Sequence, residues 1–466
     1  MSGAQVIAQR PVPGEPRPYD FPDTVRTALG NGLRVIVTPM RGRELVSVSL
    51  AFRAGSSDEP DAVGGATVLA ARALTEGTEV RDAIALTEAA ERLGASLHAE
   101  AGWDALSAGL DVPEARLAPA LELLAEIVRR PAFPEAEVDR LRDERLTDLL
   151  QARADPRRRA DEAYVGTVYA PSSPYHRPSG GLADTVGGLT SSELRAVHAR
   201  ASVPSRAAIV VAGDVEPGTV IATVERLFGD WSGDAGVASP TVDDRAAQES
   251  RVVRVIHRPG SVQTEIRVGH RGLPRRHTDY HAIAVMSAIL GGLFNSRLNM
   301  NLREDKGYTY GAGAGFDLRR GHGPFTARAA VNTEVTVPAL TELLGELDRI
   351  REAPVADQEL RAARDFLIGV FPLRFETPGP VAGSLAGLFI HDLPDDELER
   401  YRPAIEAVTA DDVQRVAREH IRPEAAAIVL VGDHDAFGEA LEGAGVGEVD
   451  VVRDEADATG DAPDEA

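Results

Sequence analysis

The chain has 466 residues, 50 Lys and Arg against 73 Asp and Glu, a formal net charge of −23, and no cysteine. This length predicts two or three domains, and the missing cysteines exclude disulfides and thiolate metal sites. The acidic balance argues against nucleic acid and anionic membranes as main partners and favours a basic or neutral ligand. Residues 1–22 are rich in proline and lack the apolar core of a signal peptide, so we expect an extended arm on a cytoplasmic protein.

The first half of the chain, residues 23–232, predicts an α+β domain. Short apolar or alternating runs predict strands, and leucine or valine at helical spacing predicts helices. In chain order the strands are 33–38, 46–52, 96–110 and 207–213, and the helices are 66–76, 117–128, 138–149 and 217–228. Residues 233–250 are polar without periodicity and predict a linker.

The order of elements begins again after the linker. Three segments repeat earlier ones at an offset of about 220 residues: 263–272 parallels 45–55, 355–371 parallels 133–151, and AAIVLVGD at 426–433 repeats AAIVVAGD at 207–214. We therefore predict an α+β fold of two homologous duplicated domains, 23–232 and 251–446. Each would have a mixed, mainly antiparallel sheet with helices packed on it. Residues 447–466 hold eight acidic residues and one arginine and predict a disordered acidic tail.

One motif lies in the second half, where a Gly291-Gly292 helix end precedes RLNMNLREDKGYTYGAGAGF at 297–316. With its duplicated domains, the chain resembles the pitrilysin-like metallopeptidases, or inverzincins, related to mitochondrial processing peptidase and insulin-degrading enzyme. The resemblance covers roughly residues 25–445. It implies an H-x-x-E-H zinc site on a first-half helix, completed by a glutamate further downstream. Two histidines one turn apart bind the metal, and the glutamate between them activates water.

This chain departs from that zinc site. Within the matching frame GGATVLAARALTEGT at 64–78, the histidine positions fall on Val68 and Arg72 and the base position on Ala71. The downstream glutamate position falls on Gln151. Valine has no lone pair, alanine cannot take a proton, and arginine is a permanent cation. We therefore expect no metal in this chain and no peptide hydrolysis by the chain alone.

The resemblance also implies a partner. Short members of the family work as dimers of two-domain subunits, often one catalytic and one without the metal site. In those pairs the second domain of the metal-free subunit supplies an arginine and a tyrosine seven residues apart, as Arg303 and Tyr310 are here. By resemblance, Arg303 holds a substrate main-chain carbonyl and Tyr310 donates to the oxygen of the scissile carbonyl.

The chain is accordingly predicted to be a proteolytically incompetent subunit of a heterodimeric zinc endopeptidase that acts on peptides. Its partner would be a homologous H-x-x-E-H subunit that holds the zinc. A bacterial heterodimer fits best, because the long glycine-rich insert of eukaryotic non-catalytic processing subunits is absent before Leu293.

Two other interpretations stay open. The chain could be a structural or peptide-holding subunit, with Arg303 a helix-end cation and Tyr310 a half-buried strand residue. It could also be an autonomous enzyme that binds a metal through His277 and His281, four residues apart. A solvated helix face explains these histidines better, because no acidic base lies in register and two arginines precede them.

Overall fold

The computed structural model describes residues 14, 17–233, 242–247 and 249–453, which form two six-stranded sheets with helices packed on them. The first sheet contains β1 (Val25–Ala28), β2 (Arg34–Pro39), β3 (Leu45–Phe52), β4 (Ser96–Ala101), β5 (Leu106–Pro113) and β6 (Ala207–Gly213). The second contains β7 (Val252–His257), β8 (Gln263–Arg271), β9 (Thr309–Phe316), β10 (Pro324–Asn332), β11 (Ala427–Gly432) and β12 (Glu448–Arg453).

Helices surround both sheets. In the first half they are α1 (Ala66–Ala73), α2 (Ala83–Leu93), α3 (Leu117–Arg129), α4 (Glu135–Ala154), α5 (Pro156–Val168), α6 (Ala183–Val186), α7 (Ser191–Ala201) and α8 (Pro217–Phe228). In the second half they are α9 (Tyr280–Ser287), α10 (Thr336–Glu352), α11 (Asp357–Val370), α12 (Pro378–Ile390), α13 (Glu397–Ala407), α14 (Ala410–His420) and α15 (His434–Gly443). None of these helices is long and apolar enough to cross a lipid bilayer.

Five strands of each sheet repeat one topology, whereas the outermost strands differ, because β1 is antiparallel to β2 and β12 is parallel to β7. The first has the order β1-β2-β6-β3-β5-β4 and the second β12-β7-β11-β8-β10-β9. In the first sheet β2 pairs in parallel with β6, and in the second β7 pairs in parallel with β11. The inner pairs that follow, β6 with β3 and β11 with β8, are antiparallel. The predicted fold class, two duplicated α+β domains with mixed and mainly antiparallel sheets, is therefore confirmed.

The prediction of a disordered tail over 447–466 is wrong for its first residues. Glu448–Arg453 form β12, which pairs in parallel with β7. Val449 packs against the core of the second half, and Asp450 accepts from Arg254 at 3.1 Å. The valines among the acids therefore provide enough apolar area to add a strand to a free sheet edge. Residues 454–466 lie outside the described part of the chain.

The strand predicted over 96–110 is instead a hairpin of β4 and β5. The backbone amide of Gly102 donates to the carbonyl of Ala105 at 2.9 Å and closes the turn between them. A single alternating pattern runs through both strands, so apolar periodicity alone does not reveal the reversal.

Each half covers one face of the other half's sheet. Helix α5, from the first half, packs Ala160 and Tyr164 against Val429 of β11. Helix α12, from the second half, packs against β3 and β6 in the same way. Hydrogen bonds reinforce both contacts, because Tyr169 donates to the carbonyl of His322 at 2.8 Å and Arg53 donates to that of Phe389 at 2.7 Å. The duplicated units are therefore interlocked.

The predicted arm and linker both contact the second half where they are described. Tyr19 and Phe21 pack their rings against Phe375, at centroid distances of 6.4 and 5.1 Å. In the linker, Asp244 accepts from Arg271 at 2.7 Å and from the backbone of His322 at 2.7 Å. The rest of both segments, residues 1–13, 15–16, 234–241 and 248, lies outside the described residues.

The buried ring of His270, in β8, predicts a pH-dependent stability. Its Nδ1 lies 2.9 Å from the carbonyl of Arg271, and its Nε2 accepts from the backbone amide of Arg422 at 3.0 Å. This arrangement fits only the neutral ring, and burial lowers the pKa of His270 to about 4. The unfolded chain, with a histidine pKa near 6.5, binds more protons, so stability should fall as the pH drops from about 6.5 towards 4.

Thermal unfolding across this pH window measures the effect. His198 and His391 have pKa values lowered to about 4 by burial and contribute to the same slope. Replacing His270 by glutamine, which does not titrate, should reduce the loss of stability across the window by about 3 kcal/mol. Equal slopes for both proteins would contradict this account of His270.

Candidate functional site

Arg303 lies on an unusual helix. After α9 the chain forms two π-helical segments, Ala288–Gly292 and Asn299–Asp305. The amide of Lys306 donates to the carbonyl five residues earlier, that of Asn301, at 3.0 Å. The segment ends before Gly307, whose φ of +66° favours glycine. Isolated π-helical turns are rare and are frequently found at functional sites.

The guanidinium of Arg303 rests on the ring of Phe294, 4.4 Å from its centroid. Its Nε lies 3.5 Å from a carboxylate oxygen of the neighbouring Glu304, and 35% of the side chain is exposed. A guanidinium stacked on an aromatic face keeps its N–H donors at its edge. Arg303 is thus held in place while it retains donors for a ligand. Sequence reasoning missed Phe294, for which the signal is an aromatic residue two positions after the Gly-Gly helix end.

Tyr310 lies at a β-bulge near the start of β9, the edge strand of the second sheet. Between the pairs Ala312–Ala329 and Thr309–Val331, the β9 side has one extra residue, and the register shifts. A bulge changes the direction in which a side chain points. The Tyr310 side chain is accordingly 95% exposed. Its phenol donor therefore faces away from the domain, in contrast to the half-buried position that the structural interpretation expects.

Two polar side chains fix this geometry. The hydroxyl of Thr309 lies 2.7 Å from the carbonyl of Ala330 across the bulge and accepts from the amide of Gly311 at 3.2 Å. The carboxamide of Asn299 accepts from the amide of Ala312 at 2.9 Å and so ties the Arg303 segment to the Tyr310 strand. The structure therefore places Arg303 and Tyr310 on adjoining segments of one sheet edge.

Replacing Thr309 by valine should loosen the bulge. The change keeps the shape of the side chain and removes its hydroxyl, so we expect a loss of stability of about 1 kcal/mol, measured by chemical denaturation. Thr309→Ser, which keeps the hydroxyl, is the matched control and should retain most of the stability. A serine variant as unstable as the valine variant would show that the hydroxyl does not hold the bulge.

The positions matched to the zinc site lie on α1 and α4 and present no ligand set. Val68 is half-buried, Ala71 is fully buried, and Arg72 is exposed and paired with Glu144 at 2.8 Å. Gln151 is exposed on α4. The guanidinium of Arg72 is permanently charged and already has an acidic partner. These residues do not fit a zinc ion, because at most one neutral amide oxygen is available as a ligand.

His277 and His281 do not converge on a shared site. His277 instead approaches Asp279 and His420, with ligand atoms of the three side chains within 4.8 Å of one another. The Asp279 carboxylate, however, accepts from Arg415 at 2.7 and 3.1 Å, and these bonds lower its pKa to about 2. Both carboxylate oxygens of Asp279 are thus bound by the Arg415 cation, which opposes a second, metallic cation. This group is therefore explained as an ion pair at the start of α9.

A second histidine and carboxylate group joins His257, Asp433 and Asp435. His257 is buried, and its Nδ1 accepts from the backbone amide of His434 at 3.1 Å. The neutral ring must then carry its proton on Nε2, the nitrogen that faces Asp435, and a protonated nitrogen cannot bind a metal. This group is also explained without a metal.

Comparison with known proteins agrees with the fold and with both halves of the chain. Residues 34–170 match the family described as Insulinase (Peptidase family M16), and residues 188–367 match the one described as Peptidase M16 inactive domain. A Mycobacterium tuberculosis protein named an uncharacterized zinc protease is 26% identical over 411 residues, covering 88% of this chain and 93% of that protein. A probable mitochondrial-processing peptidase subunit beta of Arabidopsis thaliana is 24% identical over 427 residues, covering 88% of this chain and 78% of that protein.

Solved structures share the architecture. The peptidase M16 inactive domain from Pseudomonas fluorescens has a TM-score of 0.81 at 25% identity and covers 88% of this chain and 98% of its own. A protease from Helicobacter pylori has the same TM-score of 0.81 at 21% identity, covering 88% of this chain and 99% of its own, which shows the shared fold. The duplicated sheets, the two matched halves and these relatives show that the chain belongs to the insulinase family of peptidases, family M16.

Proposed function

We propose that this chain is the metal-free subunit of a heterodimeric zinc endopeptidase and lends Arg303 and Tyr310 to its partner's active site. The observation that carries the proposal is a mismatch between the two halves. The second half presents a phenol that is 95% exposed beside an arginine stacked on Phe294. The first half offers no residues at the matched positions that could bind zinc or act as a base. Among the described residues these donors have no reacting centre, so the proposal places that centre in the partner subunit.

The two donors are suited to stabilising a carbonyl group. In this proposal the Tyr310 hydroxyl donates to the oxygen of the scissile carbonyl, which gains negative charge as water adds to the carbonyl carbon. Arg303 donates to a neighbouring main-chain carbonyl and orients the peptide. Donors fixed in place before the reaction stabilise that charge without further reorganisation. The zinc ion of the partner would supply Lewis-acid chemistry.

The names of the relatives support a peptidase context. Several relatives are called zinc proteases, and one is called a subunit of the mitochondrial processing peptidase. The partner we propose is a homologous chain with H-x-x-E-H, and the substrate is a peptide enclosed between the two subunits.

Reconstitution tests this proposal. The native protein is purified from its source, the homologous chain that accompanies it is identified, and each chain is assayed alone and mixed on a quenched fluorescent peptide. We expect hydrolysis only by the mixture. The matched control mixes this chain with a partner whose H-x-x-E-H glutamate is replaced by glutamine, and it should be inactive.

The rival interpretation makes a different prediction. A structural or peptide-holding subunit would form a stable complex in which the partner is no more active than it is alone. Full activity of the partner by itself would therefore contradict the proposed function and favour the structural role.

A further inference from the structure

A cleft of about 400 Å³ opens on the second sheet beside β9. It lies between the start of α5, the face of β8 and β10 that carries Arg267 and Arg328, and the glycine-rich part of β9. Its lining residues are Arg157, Glu265, Arg267, Gly291, Gly311 to Gly313 and Arg328 to Ala330. No step of the proposed function uses these side chains.

The charges in this cleft do not balance. Arg267 is buried and neutralised by Asp161 at 2.6 Å and by Glu265 at 2.8 Å. Glu265, the acidic residue that lines the cleft, is therefore already paired. Arg157 and Arg328 are exposed. Within the described ranges, neither of their guanidinium groups has a hydrogen-bond acceptor or an acidic side chain as a partner. The cleft is therefore locally positive in a chain whose formal charge is −23.

Arg328 has open space beside its guanidinium. On β10 it lies directly opposite Arg267 of β8, whose charge is already neutralised, and opposite Gly313 of β9. Gly313 adds no side chain that would fill the space, and a Cβ built on it would lie 3.9 Å from Nε of Arg328. The donors of Arg328 therefore border a space that an anion can occupy.

The cleft is close to the proposed reaction site. Gly313 follows Tyr310 by three residues on the same strand, and a strand rises about 3.4 Å per residue, so the two are about 10 Å apart. An extended peptide covers that distance with about three residues. A group in the cleft would therefore belong to a residue close to the scissile bond.

We propose that this cleft binds a carboxylate of the peptide substrate, with Arg157 and Arg328 as its binding residues. The inference rests on the proposed function for the identity of the peptide, and it adds a substrate class. Guanidinium groups form strong charge-assisted hydrogen bonds with carboxylates. The carboxylate is either an acidic side chain near the scissile bond or the C-terminus of the peptide. The net charge of the chain predicts the opposite preference, for basic peptides. We expect the arginines that line the cleft to decide the preference, because they lie closest to the bound group.

Binding to the isolated full-length chain tests the inference without the partner. Three labelled peptides of otherwise equal sequence are titrated by fluorescence anisotropy: one with a central glutamate and an amidated end, one with glutamine and an amidated end, and one with glutamine and a free C-terminus. We expect at least one carboxylate peptide to bind about tenfold more tightly than the uncharged one. Which of the two binds distinguishes an acidic side chain from a C-terminus.

Variants locate the effect. Arg157→Gln and Arg328→Gln should each reduce the preference, and the double variant should abolish it, whereas Arg328→Lys keeps part of it. Arg200→Gln, which removes an exposed arginine of α7 in the first half, is the matched control and should leave the preference unchanged. Arg328→Gln should leave the unfolding temperature nearly unchanged, because Arg328 is exposed and has no acidic partner among the described residues.

Three results would overturn the inference: no binding by any of the peptides, equal binding by all of them, or a preference that survives the double variant. None of these depends on peptide hydrolysis. A failed reconstitution, in contrast, would contradict the proposed function and leave the binding preference as measured.

Discussion

Tyr310→Phe is expected to lower kcat of the reconstituted heterodimer on the order of 10²-fold or more, with little change in KM. The substitution removes one hydroxyl and keeps the ring, so it deletes the donor without opening space. A donor aimed at the developing oxyanion acts mainly in the transition state, and its loss therefore falls on kcat. Steady-state kinetics on a quenched peptide, with size-exclusion chromatography to verify the dimer, measure the effect.

Arg303→Ala should change the kinetics differently. A bond to a main-chain carbonyl that exists equally in the bound substrate and in the transition state stabilises both, so its loss raises KM and leaves kcat nearly unchanged. Arg303→Lys keeps the charge but loses the planar fork and the stacking on Phe294, and it should be only partly active.

The chain offers a matched control two residues away. Tyr308 is half-buried against the core of the second half, so Tyr308→Phe makes the same chemical change on the same turn without touching an exposed phenol. Its kcat should match that of the unaltered heterodimer. If Tyr310→Phe and Tyr308→Phe behaved alike, Tyr310 would not be a donor to the partner's site.

Gly291→Ala is expected to destabilise the chain strongly. A Cβ at this position would lie 2.1 Å from the backbone nitrogen of Ala314, far inside van der Waals contact. Neither the π-helical segment nor β9 can yield easily, because both contacts are backbone. The free energy of unfolding should fall by about 2–3 kcal/mol, as for an overpacked core, and chemical denaturation measures it.

Gly315→Ala is the control for this change. It places the same methyl group on β9, where a Cβ would have no heavy atom within 4 Å, so stability should be nearly unchanged. The Gly291 variant should also lose activity in the heterodimer, because a displaced segment carries Arg303 with it. A Gly291→Ala protein as stable as Gly315→Ala would contradict the close approach seen here.

Strongly periodic segments could be predicted from the sequence almost to the residue. The AAIVVAG run coincides with β6, and the helix predicted from 217 to 228 coincides with α8. Both have uninterrupted apolar patterns with clear ends, Pro217 at the start of the helix being one of them. The duplication was visible for the same reason, because repeated strands must keep the same buried residues.

The local geometry of the candidate site could not be predicted in this way. The π-helical segments are only five and seven residues long, too short for their period to be distinguished from that of an α-helix, so no pattern predicts the segment that carries Arg303. The bulge at Tyr310 depends on how β9 registers with β10, which the residue pattern of β9 alone does not determine. Arg157 and Arg328 are 171 positions apart in the sequence, and only the packing of α5 across the halves brings them to one cleft.

The exchange of α5 and α12 between the halves also bears on how a peptide could enter. A hinge between the two sheets would have to pull each helix off the sheet it covers, and with it the bonds from Tyr169 to His322 and from Arg53 to Phe389. This chain should therefore move as one rigid body. In the proposed heterodimer, a chamber that opens and closes must do so at the seam between two polypeptides, and substrate access becomes a property of how tightly the subunits associate.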